Sequence, residues 1–292
     1  MAGADFLVRW PGATGLDLPE FDITNATQCR ERLAELKPHI VVNCAAATAV
    51  DWCEDHRDEA FRINADGAGN LAKACAEIGA LMVQISTDYV FDGASTTECT
   101  EDDPVNPLSV YAESKLAGER AVIAAYHDEA SGFVQRTRSV RAPRSVAEHL
   151  IVRTCWLFGH NDRSFVRAML RAANGTEPVR VIDDQVGCPT YSHDLAEAVE
   201  RLVAARARGL FHFTNTGPCT RLDMARYILA RAGLDPARLV PIKSSDLPWV
   251  AARPLHNVLS TAKYTKLTGA APRHWHDAVD DALRRDGIQL RH

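Results

Sequence analysis

The stretch Ala80-Leu81-Met82-Val83-Gln84-Ile85-Ser86-Thr87 indicates the fold, because an apolar run ending in small hydroxyl residues is typical of a buried parallel strand. Apolar runs at 40–42 and 150–154 alternate with helical segments at 57–78 and 111–125. Strands that alternate with helices predict a parallel sheet with helices on both faces. Such sheets bind ligands at the carboxyl ends of their strands, so the end of the first stretch is a candidate site.

The second half of the chain has a less regular pattern. Helices are predicted near 165–173, 194–207, 222–232 and 275–285, with prolines and glycines between them. This spacing predicts a smaller lobe that closes over a ligand.

Composition excludes several classes of protein. The chain has 292 residues, of which 46% are hydrophobic and 24% charged, and 33 basic against 38 acidic residues give a net charge of −5. That balance gives no reason to expect a nucleic acid or an anionic membrane as partner. Neither a signal peptide nor an apolar run of roughly 20 residues is visible. Eight cysteines without a Cys-x-x-Cys pair predict no disulfide or zinc framework and a reducing cytoplasm, and the eleven histidines show no metal-ligand spacing.

The segment Tyr111-Ala112-Glu113-Ser114-Lys115 suggests acid–base chemistry. Residues four apart share one face of a helix, so the phenol and the ammonium group lie side by side. An adjacent cation lowers the pKa of a phenol and suits it to exchange a proton with a carbonyl oxygen. Thr87 would hold that oxygen through its hydroxyl. On most helices, however, this spacing is only an exposed aromatic residue beside a solvated lysine.

A longer block makes the pattern specific. Ser86-Thr87-Asp88-Tyr89-Val90-Phe91-Asp92-Gly93, followed by the Tyr-x-x-x-Lys, resembles the extended short-chain dehydrogenase/reductase family and its dTDP-4-dehydrorhamnose reductase branch. The segment 42–51 (Val-Asn-Cys-Ala-Ala-Ala-Thr-Ala-Val-Asp), Asp184-Gln185-x-Gly187-x-Pro189-Thr190 and Arg253-Pro254 also match motifs of that branch. The resemblance covers nearly the whole chain.

The resemblance implies a set of site residues. The catalytic residues would be Thr87, Tyr111 and Lys115. The cofactor would contact residues from the early segments as well as the catalytic helix, namely Asp22, Ile23, Ala45, Ala46, Ala47, Thr48, Asn64, Tyr111 and Lys115. The sugar nucleotide would contact Thr87, Asp88, Trp156 and Arg253. His256-Asn257 stands where the family has Asn-Ser, which weakens the assignment of the contact at Arg253.

The resemblance also implies an activity. It predicts a Rossmann-like NAD(P)-binding domain over 1–155 and a substrate-binding lobe over 156–292, with reduction of a dTDP-4-dehydro sugar by NADPH or NADH in dTDP-rhamnose biosynthesis. The expected partner is the dTDP-sugar, and a homodimer is one option for the oligomeric state. Two alternatives remain open: a non-catalytic regulatory subunit, like the β subunit of methionine adenosyltransferase, and a nucleotide-sugar epimerase. Thr87 favours the reductase over the regulatory subunit, in which serine stands at that position.

The beginning of the chain departs from the family pattern. No strand, Gly-x-x-Gly-x-x-Gly turn and helix precede Asp22-Ile23-Thr24. We interpret 11–15 as a loop and 6–10 as the remnant of the second strand. Either the natural protein begins upstream, with the missing unit encoded there, or the short form is real and binds nucleotide weakly.

The arginine-rich stretch 132–147 is predicted to be an insertion. A solvated loop is the preferred interpretation, because loops tolerate insertions, and a phosphate or partner contact is the alternative.

Overall fold

The computed structural model describes residues 2–136, 148–162 and 164–291, with 127–136 described by the backbone only. Over these ranges the helices are α1 (Ala2–Arg9), α2 (Ala26–Leu36), α3 (Val50–Asp55), α4 (Arg57–Phe61), α5 (Gly67–Ile78), α6 (Val110–Arg136), α7 (Phe165–Ala173), α8 (Ser192–Ala204), α9 (Arg221–Arg231), α10 (Ala262–Thr268) and α11 (Trp275–Arg285). The strands are β1 (Ile40–Asn43), β2 (Leu81–Thr87), β3 (His149–Thr154), β4 (Leu157–Phe158), β5 (Val179–Ile182), β6 (Val186–Gly187), β7 (Thr190–Tyr191), β8 (Gly209–His212), β9 (Cys219–Thr220), β10 (Leu239–Ile242) and β11 (His256–Asn257). Short turns of other helix types span Arg62–Asp66 (π-helix) and Asp88–Val90, Pro236–Arg238 and Ser244–Asp246 (3-10 helix).

The main sheet has four parallel strands in the order β1-β2-β3-β8. Successive residues of a strand point to opposite faces, so each face has its own core. Met82 and Ile151 pack against α2, α5 and α6 on one face. Val83 and Val152 pack against α1 and α8 on the other. The predicted α/β fold, a parallel sheet covered by helices on both faces, is therefore confirmed.

The strand register positions the candidate site. Asn43, the last residue of β1, pairs with Gln84, so β2 continues beyond its neighbour through Thr87. On the other side Thr87 pairs with Thr154, the last residue of β3. The carboxyl end of β2 is thus flanked by β3 and by the segment that follows β1.

A second core lies beyond the main sheet, where Phe158, Tyr191 and Trp275 pack with residues of α7, α9 and α11. Short strand pairs, including the parallel pair β5–β10, complete this region. Helix α8 and strand β8 return from it to the main sheet. The chain therefore crosses between the two regions more than once, and the division at residue 155 remains a prediction.

The first helix corrects one expectation. The run 6–10 was predicted as a strand, but α1 is helical, with Ala2 and Phe6 buried against α8. Phe6 and Trp10 stack with ring centroids 5.6 Å apart, and the Arg9 guanidinium pairs with Glu200 at 2.5 Å. Buried residues four apart mark a helix, and the apolar Val8 that suggested a strand is 67% exposed.

The helical segment predicted at 57–78 is interrupted by the π-helix Arg62–Asp66. It ends at Gly79, whose φ of 73° is the left-handed conformation that glycine adopts without steric cost. The arginine-rich stretch was predicted as a loop, but its first residues, 132–136, belong to α6, and the remainder, 137–147, lies outside the described residues. Among the residues that are described, no helix has both the length and the apolar character needed to cross a membrane.

Candidate active site

Thr87 ends β2, and the chain turns at once into the 3-10 helix Asp88–Val90. The Thr87 hydroxyl accepts a hydrogen bond from the Tyr89 amide at 3.2 Å and donates one to Asp88 Oδ1 at 3.1 Å. Both Thr87 and Asp88 are buried. The hydroxyl is therefore fixed at the strand end by its own turn, as expected for a residue that orients another group.

Helix α6 brings Tyr111 and Lys115 to this strand end. Tyr111 lies in its first turn, where its ring meets that of Tyr89 edge-to-face at 5.8 Å. Lys115 is 5% exposed, and its ammonium group donates a hydrogen bond of 2.8 Å to the carbonyl oxygen of Ile85 on β2. The structure thus brings together the three predicted catalytic side chains.

Burial sets the pKa values of these groups. It raises the pKa of Tyr111 well above its ordinary value, and hydrogen bonding by Thr87 lowers it only in part. Burial also lowers the pKa of Lys115 to about 8, although the nearby Glu119 opposes this. The argument that Lys115 would lower the pKa of the phenol is therefore wrong for this structure, because burial raises that pKa and Lys115 is not among the groups that lower it.

Asn64 connects three segments around the site. It lies in the π-helix and is 2% exposed. Its side-chain oxygen accepts from the Ala47 amide at 2.8 Å, and its nitrogen donates to the Ala47 carbonyl at 3.0 Å and to Ser114 Oγ at 2.9 Å. π-Helical turns are frequent at functional sites. Asn64 thereby ties the segment after β1 to the residue next to Lys115.

The π-helix that carries Asn64 also explains why a glycine stands at position 118 of α6. A Cβ at Gly118 would overlap the backbone carbonyl oxygen of Asn64. Only glycine lets α6 approach the π-helix this closely, and that approach sets the position of the preceding turn, which carries Lys115.

The small residues predicted to face the cofactor form the segment after β1. Ala45 and Thr48 are exposed, whereas Ala46 and Ala47 are half-buried. The segment is braced by Asn43, whose side chain accepts from the Ala45 amide at 3.1 Å and donates to Gln84 Oε1 at 2.8 Å. The structure thus offers small side chains beside Lys115, as a closely approaching ligand requires.

Asp22 and Ile23 precede α2, and Ile23 packs in the core on the face of the sheet covered by α2, α5 and α6. Asp22 accepts from the Thr24 amide at 2.9 Å, which lowers the pKa of its carboxyl group. Ile23 is buried against Gly67, and its carbonyl accepts from Asn70 at 3.1 Å. Both residues therefore contact α5 or their own turn, and the described hydrogen bonds do not join them to the catalytic cluster.

Asp88 has neighbours that sequence reasoning missed. Asn257 donates to its backbone carbonyl at 2.9 Å and lies 3.4 Å from its carboxylate. Burial raises the pKa of Asp88 to about 6, and hydrogen bonds from Cys155, Thr87 and Asn257 oppose the rise. His256-Asn257, which departs from the family pattern, therefore still contributes to the site, because Asn257 contacts the turn that carries Asp88.

Trp156 packs against the second core. Its backbone is left-handed, with a φ of 42°, which is a strained conformation for a bulky residue. The Arg221 guanidinium stacks over its ring at 3.9 Å. A Cβ at Gly187 would come within 2.9 Å of the indole, so only glycine fits against it. Packing on two sides holds the ring in place.

Arg253 is already paired. Its Nη2 lies 2.6 Å from Asp51 Oδ2, and its Nη1 lies 3.1 Å from Oδ1. Asp51 also accepts from the amides of Val250 and Ala251, and Arg253 stacks over Trp249 at 3.7 Å. The pKa of Asp51 is lowered, mainly by its hydrogen bonds with Arg253. A role of Arg253 toward phosphate thus remains a prediction, with Asp51 as its partner in this structure.

A cavity of about 380 Å³ lies elsewhere, between α8 and α11. It contains none of the predicted site residues. Its Arg273 is paired with Asp194 at 2.7 Å and with Asp281 at 3.1 Å. The described residues contain no cluster of three His, Cys, Asp or Glu side chains suited to a metal ion.

The parallel sheet and the Thr, Tyr and Lys cluster at the end of β2 define an extended short-chain dehydrogenase/reductase fold. Comparison with known families places the chain further: the profile of the RmlD substrate binding domain matches residues 9–287. The chain belongs to this family, which confirms the resemblance found in its motifs.

Individual relatives support the same family assignment. The chain is 38% identical over 281 residues to a dTDP-4-dehydrorhamnose reductase of Streptomyces griseus, covering 94% of this chain and 86% of that one. A crystal structure of a dTDP-4-dehydrorhamnose reductase from Clostridium acetobutylicum has a TM-score of 0.86 at 34% identity, covering 98% of this chain and 96% of the other. A Bacillus anthracis dTDP-4-dehydrorhamnose reductase in complex with NADP has the same TM-score at 30% identity, covering 97% and 95%.

Proposed function

We propose that this protein reduces the 4-keto group of dTDP-4-dehydro-L-rhamnose with NADPH or NADH, giving dTDP-L-rhamnose for cell-surface polysaccharide. The observation that carries the proposal is the meeting of Thr87, Tyr111 and Lys115 at the carboxyl end of β2. Relatives named for this reductase activity, one of them in complex with NADP, support it over the regulatory-subunit and epimerase interpretations.

The residues around Lys115 fit the nicotinamide ribose of the cofactor, whereas the described residues include no glycine turn for its pyrophosphate. Lys115 gives one of its three donors to Ile85 within the described structure, which leaves donors for ribose hydroxyls. Small residues at Ala45, Ala46 and Ala47 allow a close approach beside it. Thr48, Asn64, Asp22 and Ile23 complete the proposed cofactor contacts.

When bound, the nicotinamide supplies the hydride that reaches the C4 carbon. Thr87 would redirect to the carbonyl oxygen the hydroxyl proton that it donates to Asp88 in this structure, and Tyr111 gives the proton that completes the hydroxyl group. Burial keeps the Tyr111 phenol protonated at neutral pH, which suits a proton donor. Asp88, Trp156 and Arg253 are the proposed contacts to the sugar nucleotide. A cytoplasmic location and a homodimer belong to the same proposal.

The test is a reductase assay with a matched pair of variants. Purified protein is mixed with NADPH or NADH and the 4-keto sugar nucleotide, and cofactor oxidation is followed together with the sugar product. Tyr111→Phe is expected to lower kcat by about 10²-fold or more, as for loss of a general acid, with cofactor affinity nearly unchanged.

Tyr126→Phe is the control, because Tyr126 lies on the same helix but bonds to the Ala80 carbonyl at 3.4 Å, away from the site. Its turnover should stay close to that of the unmodified protein. Near-normal turnover in Tyr111→Phe would refute the catalytic assignment and favour the regulatory interpretation.

A further inference from the structure

A buried ion pair lies directly beneath the site. Arg153 on β3 donates to both oxygens of Glu119 on α6, from Nε at 2.9 Å and from Nη2 at 2.7 Å. Both side chains are 4% exposed. Ser86, the neighbour of Thr87, donates to Glu119 Oε1 at 2.5 Å. Glu119 is therefore held rigidly between the strand that carries Thr87 and the adjacent strand.

Stability alone does not explain this pair. A buried ion pair is often no more stabilising than well-packed apolar residues, because both charges lose their hydration. Here Arg153 Nη1 has no hydrogen-bond partner and is buried, so the desolvation of the guanidinium group is only partly offset. The positive charge of Arg153 also helps to lower the pKa of the buried His212 to about 3, although burial is the larger cause.

The position of Glu119 relates it to Lys115. The two residues are four apart on α6, so Glu119 lies one turn further along the same face. The other groups that act on Lys115 are the Ile85 carbonyl on β2 and the Cys44 thiol after β1, whose own pKa burial raises to about 12. At neutral pH, Glu119 is therefore the acidic group that stabilises the Lys115 ammonium.

We propose that Glu119 is a positioning residue for Lys115: its carboxylate, fixed by Arg153 and Ser86, keeps the neighbouring ammonium group charged within a buried site. This inference rests on the proposed function for the role of Lys115 in turnover, but the charge relation itself can be measured separately. It assigns a role to a buried pair that is not among the proposed contacts of the substrate or the cofactor.

The direct test is Glu119→Gln, which keeps the shape of the side chain and removes its charge. Burial already lowers the pKa of Lys115 to about 8, so loss of Glu119 should lower it further. Reduction requires the charged form of Lys115. The fall of reductase activity at alkaline pH should therefore begin about one pH unit lower in this variant. Heteronuclear NMR of the Lys115 ammonium group should show the same displacement.

Two variants separate charge from structure. Glu119→Asp retains the charge. The alkaline limb of its pH profile should therefore lie closer to that of the unmodified protein than the limb of Glu119→Gln does, even where turnover is lower. Ser86→Ala removes one hydrogen bond to Glu119 without changing any charge and should displace the alkaline limb much less than Glu119→Gln does. If Glu119→Gln does not fold, Glu119→Gln with Arg153→Gln is measured instead, and a smaller downward displacement is expected there, because the loss of the Arg153 charge partly offsets the loss of the Glu119 charge.

The outcomes are distinguishable. If the NMR titration of Lys115 does not move in the charge-removing variant, the inference is wrong, whatever the activity. If the titration moves but the activity profile does not, the relation between Glu119 and Lys115 stands and the proposed catalytic role of Lys115 fails.

Discussion

Replacing Asn64 by alanine should disturb both the stability and the activity of this protein. The substitution removes three hydrogen bonds, two to Ala47 and one to Ser114, at distances between 2.8 and 3.0 Å. A net value of about 0.5–1.5 kcal/mol for each bond gives a loss of about 2–4 kcal/mol in the free energy of unfolding. In a chain of this size the midpoint of thermal unfolding should fall by about 3–7 °C.

The activity should fall for a geometric reason. Without Asn64, the segment after β1 loses its link to Ser114, the residue beside Lys115. Small displacements of positioned groups slow catalysis strongly, so kcat/KM should decrease by about 10-fold or more. Thermal unfolding followed by circular dichroism, together with reductase kinetics below the unfolding transition, measures both effects.

The control is Asn174→Ala. Asn174 is exposed at the end of α7 and makes one hydrogen bond, to the Leu170 carbonyl at 2.9 Å. Its replacement should change neither quantity appreciably. A variant Asn64→Ala that unfolds at the original temperature would show that the three bonds do not contribute as reasoned. A variant with lower stability but unchanged kinetics would make Asn64 a structural residue only.

Two further substitutions test the surroundings. Gly118→Ala should destabilise by about 1–3 kcal/mol although alanine favours helices, because its Cβ meets the Asn64 carbonyl. Gly69→Ala, where the nearest contact is the Ala121 Cβ at 3.2 Å, should be closer to neutral in the same unfolding experiment, and equal effects would contradict this account. Asp51→Asn should raise KM for the sugar nucleotide several-fold more than it lowers kcat, because it loosens Arg253 and the loop at 250–251. Asp235→Asn, at an exposed turn, should change neither constant, and a kcat loss without a KM change in Asp51→Asn would count against the argument.

The main sheet could be predicted from the sequence because its strands are long enough to show a pattern. β2 and β3 have seven and six residues and are mostly buried, so each reads as an apolar run between helices. Strands of two residues, such as β6 and β9, are too short for any periodicity. Helix α1 was mistaken for a strand because its exposed face carries Leu7 and Val8, so apolar residues occur on both sides.

The cluster of Thr87, Tyr111 and Lys115 could be predicted because its residues fall in two short motifs, and a helix places Tyr111 beside Lys115; its catalytic role remains a prediction. Its supports could not be predicted, because they join distant positions. Glu119 and Arg153 are 34 residues apart, and Asp51 and Arg253 are 202 apart. The spacing of Glu119, one turn after Lys115, was a usable signal, but it predicts only a shared face. Nothing in the sequence places an arginine opposite that carboxylate.

The pKa shifts around the site have a common direction that follows from burial. Tyr111 and Asp88 have raised values and Lys115 has a lowered one, so in each case the buried environment favours the neutral form. A site governed by burial alone would therefore lose the ammonium charge that the proposed reaction needs. Glu119 opposes that tendency at Lys115, and hydrogen bonds from Arg153 and Ser86 hold its carboxylate in place. The pair beneath the sheet edge thus acts on Lys115, whereas the protonation of Tyr111 and Asp88 follows mainly from their own burial.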